Sequence, residues 1–81
     1  MTQDQIFEVI KKSVLDILID IEPELIKIDK SLKDLGANSI DRIEVISSTL
    51  EQLNLKLPLM TFKNATNIRE IVDIFHEHLC K

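Results

Sequence analysis

Leu32-Lys33-Asp34-Leu35-Gly36-Ala37-Asn38-Ser39-Ile40-Asp41 is the stretch on which the architecture of this chain turns. Its glycine breaks the segment before it, and three residues later a serine opens a run whose apolar residues recur at helical spacing. A serine at the first turn of a helix stands beside backbone N–H groups that have no intrahelical partner, at the positive end of the helix dipole. A phosphodiester joined to that hydroxyl sits in a favourable field. The commonest reason for a serine in such a place is plainer: it caps the helix. On their chemistry alone these ten residues leave both readings open.

Working outward, the stripe Ile40, Ile43, Ile46, Leu50 and Leu53 predicts an amphipathic helix that stops near Asn54 and turns at Leu57-Pro58. Upstream, Thr2 and Gln5 have capping-box spacing, and Ile6, Ile10, Val14, Ile17 and Leu18 form a second stripe with Phe7 beside it. Pro23 and the acids around it are expected to end that helix by about Ile21. The connection from about Glu22 to Asn38 carries Leu25, Ile26, Ile28, Leu32 and Leu35, too many apolar residues for a disordered linker. It is expected to pack across the core, with one helical turn at Ser31–Leu35.

Downstream, Leu59–Ala65 has room for one or two helical turns. Thr66 or Asn67 then caps a last helix, with Asn67 and Glu70 again at capping-box spacing and a buried face of Ile68, Ile71, Val72, Phe75 and Leu79. One glycine and two prolines are too few for the many turns of an all-β fold. The expected fold is all-α: a single domain over residues 1–81, a four-helix bundle of three main helices and one short one, with a long first loop.

Composition narrows the function. Leu, Ile, Val and Phe supply 31 of 81 residues, well above the roughly 20% below which chains stay disordered. The pI near 5.0, the net charge of -4 and the absence of Trp and Tyr argue against nucleic acid as a partner. No apolar run approaches a membrane span, and the N-terminus lacks the basic and apolar regions of a signal peptide. Cys80 is the lone cysteine, so no intrachain disulfide forms, which fits a reducing cytoplasm. His76 and His78 point to different helix faces, and His76 with Cys80 gives two ligands at a chain end, not a metal site. Carboxylates are scattered over helix surfaces, the run Ser47-Ser48-Thr49 reads as surface filling, and no nucleophile–base pairing is suggested. No catalytic residue and no metal ligand is expected.

Four features in order make the chain resemble the acyl carrier protein family over nearly its whole length. Leu35-Gly36-Ala37-Asn38-Ser39-Ile40 is similar to the Leu-Gly-x-Asp-Ser-Leu-like stretch that opens the family's second helix; Asp41 and Glu44, Leu57-Pro58, and Thr66-Asn67-Ile68-Arg69-Glu70-Ile71 follow in register. The resemblance implies that Ser39 carries 4'-phosphopantetheine, attached by a separate phosphopantetheinyl transferase, and that Ile40, Asp41, Arg42, Glu44 and Val45 form much of the docking surface. Asn38 departs from the pattern, since the family usually has Asp there. Its side-chain oxygen still serves as a cap.

Within the family, fatty-acid carriers tend to have a strongly acidic second helix, whereas Ser39 to Asn54 here has Asp41, Glu44 and Glu51 against Arg42. Gly36-Ala37-Asn38-Ser39-Ile40-Asp41-Arg42 looks like the freestanding carriers of trans-acyltransferase polyketide pathways that serve β-branching cassettes. That likeness implies an acyltransferase that loads malonyl, a decarboxylating ketosynthase that leaves acetyl, and an HMG-synthase-like (3-hydroxy-3-methylglutaryl-synthase-like) enzyme that receives it. A fatty-acid, other polyketide or aminoacyl carrier would keep Ser39 and load other cargo. A non-carrier helical interaction module would use Ser39 only as a cap.

Overall fold

The computed structural model describes Thr2–Leu79. Three α-helices, α1 (Gln3–Ile17), α2 (Ser39–Gln52) and α3 (Ile68–Leu79), are joined through two 3-10 helices at Pro23–Leu25 and Leu59–Phe62. The all-α fold expected from the sequence is the one observed. Cys80 lies outside the described residues.

Each α-helix starts where a side chain takes up its free amides. Thr2 and Gln5 form the anticipated capping box on α1, with Thr2 Oγ1 accepting from Gln5 N at 3.2 Å and Gln5 Oε1 accepting from Thr2 N at 2.9 Å. At α3, Asn67 Oδ1 accepts from Glu70 N at 2.9 Å, while Glu70 Oε2 accepts from Thr66 N at 2.6 Å. The backbone of the first loop completes that helix start. Lys30 O accepts from Ile68 N at 2.9 Å and Ile28 O from Arg69 N at 2.8 Å. Two donors that α3 cannot satisfy internally thereby pin the loop across the bundle.

The core gathers Ile6, Ile10 and Val14 from α1, Ile26 and Leu32 from the first loop, Val45, Ile46 and Leu50 from α2, and Ile68, Ile71, Val72 and Phe75 from α3. Phe62 enters from the second 3-10 helix, its ring centroid 4.9 Å from that of Phe75 at an interplanar angle of 39°. The first loop therefore packs against the core through Ile26 and Leu32, whereas Leu25 is 53% exposed.

Three local expectations are corrected. α1 ends at Ile17, not near Ile21. Its last turn already holds Asp16 and has no basic residue, and extension would add Asp20 to the negative end of the dipole. The short helix of the first loop lies at Pro23–Leu25, where proline's fixed φ suits a first helical position. Ser31–Leu35 instead forms turns, tied by Ser31 Oγ accepting from Asp34 N at 3.0 Å and Asp34 Oδ2 accepting from Ser31 N at 3.3 Å.

The third correction concerns the roll of α2. Its buried residues are Val45, Ile46, Thr49 and Leu50, while Ile40 and Ile43 are 67% and 48% exposed. That roll buries Val45, Ile46 and Leu50 and brings Thr49 against Ser13 on α1, which is fully buried and within hydrogen-bonding distance of Ser48 Oγ (3.3 Å), Thr49 Oγ1 (3.2 Å) and Gln52 Nε2 (2.8 Å). Thr49 is thus part of a buried polar seam and not surface filling. Val45, expected on a docking surface, is 1% exposed and belongs to the core.

Candidate functional site

Gly36 and Asn38 build the corner at which Ser39 sits. The turn before it closes with Leu32 O accepting from Ala37 N at 3.0 Å and Lys33 O from Gly36 N at 3.0 Å. Gly36 takes φ 93°, a backbone region that side chains disfavour. The chain then runs extended through Asn38, which caps α2: its Oδ1 accepts from Asp41 N at 2.8 Å, and Asp41 Oδ2 accepts from Asn38 N at 3.4 Å.

Because Asn38 is the cap, Ser39 is the first helical residue. It is exposed, and its hydroxyl takes no hydrogen bond among the described residues. The plain reading of Ser39 as an N-cap is thereby replaced. A free hydroxyl beside the unsatisfied amides of α2 suits a covalently attached phosphodiester, so the residues present fit that group.

Two clefts meet at Ser39. One, of about 820 Å³, lies between the first loop, α2 and the start of α3, with Lys33, Asn38, Arg42, Lys63 and Thr66 among its walls. The other, of about 340 Å³, lies between α2 and the second 3-10 helix and is walled mainly by Ile43, Ile46, Leu59, Met60 and Phe62. Ser39, Arg42 and Lys63 line both.

The expected docking residues separate in space. Ile40 and Glu44 are exposed, and Asp41 is half-buried because its carboxylate is engaged in the capping box. Arg42 turns back on the chain: its Nη2 donates to the carbonyls of Phe62, at 3.1 Å, and of Ala65. Sequence spacing did not reveal this clasp, since acceptors 20 and 23 residues away leave no local signature. Among the described residues no group of His, Cys, Asp and Glu is arranged to hold a metal ion, and no helix is long and apolar enough to cross a membrane.

Comparison with known proteins places this geometry. The family described as "Phosphopantetheine attachment site" matches residues 8–75. The polyketide biosynthesis acyl-carrier-protein AcpK of Bacillus subtilis (strain 168) is 31% identical over 77 residues, which is 95% of this chain and 94% of that protein. An acyl carrier protein of Campylobacter hominis is 29% identical over 84% of this chain and 86% of its own. Among solved structures, a chain in the crystal structure of the curacin biosynthetic pathway HMG synthase in complex with acetyl donor-ACP matches with a TM-score of 0.85 and 35% identity, over 93% of this chain and 96% of that one. With these likenesses spanning nearly its full length, the chain belongs to the acyl carrier protein family, whose members are non-catalytic carriers bearing covalently attached 4'-phosphopantetheine.

Proposed function

We propose that this carrier takes its 4'-phosphopantetheine at Ser39, is loaded with malonyl that becomes acetyl, and donates the acetyl unit in polyketide β-branching. The observation that carries the attachment site is the exposed, uncommitted hydroxyl of Ser39 on the first turn of α2. In the attachment step Ser39 Oγ bonds to the phosphorus that bears pantetheine in coenzyme A. The pyrophosphate P–O bond breaks, adenosine 3',5'-bisphosphate leaves, and the hydroxyl proton passes to a base on the Mg²⁺-dependent phosphopantetheinyl transferase. Once attached, the group supplies a flexible arm whose terminal thiol holds the acyl group as a thioester. Tethering makes delivery depend on effective concentration within a docked pair.

The assignment to β-branching is supported by the 35% identity to a chain from an HMG synthase complex with an acetyl-donor carrier, and by the polyketide carrier relative. The partners on this reading are the transferase, an acyltransferase, a decarboxylating ketosynthase and an HMG-synthase-like enzyme. Ile40, Asp41 and Glu44 form the docking face. Val45 leaves that set because it is buried, and Arg42 contributes mainly from within, through its clasp.

Intact mass after incubation with coenzyme A and a promiscuous transferase tests the first part. One added phosphopantetheine is expected on the wild type and none on Ser39→Ala. Addition to both proteins, or to neither under conditions that modify a control carrier, refutes the assignment. Offering malonyl, acetyl, longer acyl and aminoacyl donors in competition then tests the cargo, with malonyl expected to dominate.

A further inference from the structure

A third groove, of about 410 Å³, lies between the end of α1 and the first loop, with Gly36, three residues before Ser39, among its walls. The other walls are mainly apolar and include Ile17, Leu18, Ile19, Leu25 and Leu35. Ile19 is 87% exposed, the most of any large apolar side chain among the described residues. It follows the C-cap of α1 in a turn where Leu18 O accepts from Ile21 N at 3.4 Å. Such turns ordinarily carry glycine, asparagine, aspartate or serine, so folding gives no reason for an isoleucine there. Around it, the run from Asp16 to Leu25 has four acids, Asp16, Asp20, Glu22 and Glu24, and no base. All four are exposed, and none of their carboxylates makes an ion pair or hydrogen bond among the described residues.

We propose that this groove is a second docking surface, shaped for a partner enzyme that offers an apolar side chain ringed by lysines and arginines. The proposal rests on the carrier reading, in which several enzymes must each bring an active site to Ser39. Three residues of extended chain span at most about 11 Å, so a partner seated against Gly36 stays close to the attachment point. Apolar contact gives such a patch its affinity, and the unpaired carboxylates select the charge of what covers it. A second copy of this chain would set the same four acids against one another, and an anionic bilayer would be repelled likewise. Ile40, Asp41 and Glu44 belong to α2, so substitutions in the groove leave that docking face and its cap untouched.

Amide correlation spectra of the labelled carrier, titrated in turn with the transferase, the acyltransferase, the decarboxylating ketosynthase and the HMG-synthase-like enzyme, map each footprint. At least one partner is expected to move the signals of Ile19, Asp20 and Leu25. For that partner, Ile19→Asn should weaken binding by about tenfold, as loss of one buried aliphatic side chain implies, and Ile19→Leu should retain it. The Asp20→Asn, Glu22→Gln, Glu24→Gln triple variant should also weaken it and flatten its salt dependence. These positions are exposed, so melting midpoints should match the wild type. The proposal is overturned if every footprint stops at α2, or if Ile19→Asn leaves all four affinities unchanged. Footprints absent from both surfaces with all four enzymes refute the partners of the carrier reading, and the proposal with them. Shifts at Ile19 seen only on concentrating the carrier alone, or only with phosphatidylcholine vesicles, assign the groove to self-contact or to lipid and overturn it as well.

Discussion

Asn38 stands where the family's motif usually has aspartate, and its amide oxygen does the capping by accepting from Asp41 N at 2.8 Å. Asn38→Ala is expected to cost about 1 kcal/mol in a urea titration, the usual loss for an N-cap, while Asn38→Asp should hold stability within a few tenths of that unit. Gly36 is a different case. A Cβ placed there would meet nothing within 4 Å, yet φ is 93°, so any cost of Gly36→Ala is conformational and not steric. That cost is expected at about 1–2 kcal/mol, with Gly36→Asn milder.

Asp34 gives the residue scale its pH dependence. The backbone N–H of Ser31 and then its hydroxyl hold the carboxyl below its ordinary value of 3.8 against an opposing effect of burial, and Lys30 and Lys33 add smaller downward pulls. A carboxylate whose pKa is lower folded than unfolded adds stability above the unfolded value, and that stability is lost as pH falls through the folded one. Asp34→Asn should therefore lower stability at neutral pH and flatten its decline below 3.8, as read from melting midpoints across acidic buffers. At this scale much was legible in the sequence. The caps at Thr2 and Asn67 and the exposed position of Ser39 follow from neighbours within a few residues. The burial of Val45 does not, because the roll of α2 is decided by another helix.

Between elements, polar contacts accompany apolar burial in fixing that roll. Ser13 of α1 meets Ser48, Thr49 and Gln52 of α2, and Thr49 Oγ1 also donates to the carbonyl of Val45 at 2.8 Å. Val45, Ile46 and Leu50 supply the apolar part of the buried face and Thr49, matched to the buried hydroxyl of Ser13, its polar part, leaving Ile40 and Ile43 outside. Ser13→Ala and Thr49→Val are each expected to cost about 1 kcal/mol, and the double variant less than their sum, because the contact between them is lost only once. Arg42 does comparable work at the other end of α2 by holding the segment after the second 3-10 helix. Arg42→Gln is expected to cost about 1–2 kcal/mol for two bonds from a charged, partly exposed donor. Hydrogen exchange should rise at Lys63 and Ala65, whose amides bond to Met60 O and Phe62 O, and not in α1. An unchanged exchange pattern would remove Arg42 from this structural role.

Over the whole molecule, charge is sorted by face. Lys33, Arg42 and Lys63 collect around one cleft, while Asp41, Glu44 and Glu51 lie along α2 beside the exposed Ile40 and Ile43. An acidic face with apolar side chains fits a partner patch of the reverse charge, and a net charge of -4 reinforces the attraction at long range. Screening over about 8 Å at physiological salt then makes the encounter rate, more than the stability of the docked pair, the sensitive quantity. For acetyl transfer to an HMG-synthase-like acceptor, kcat/KM is expected to fall as salt rises. The Asp41→Asn, Glu44→Gln double variant should be slower at low salt by about tenfold and show a flatter salt dependence, a loss corresponding to roughly 1.4 kcal/mol. Asparagine at position 41 retains the side-chain oxygen that reaches back to Asn38, so α2 keeps its start. Arg42→Gln separates docking from architecture in the same assay. Its guanidinium faces the chain's own carbonyls, so its removal is expected to leave the salt slope intact while lowering stability. A slope unchanged by the acidic double variant, or altered chiefly by Arg42→Gln, would move the docking face from the acids of α2 to the cationic cleft.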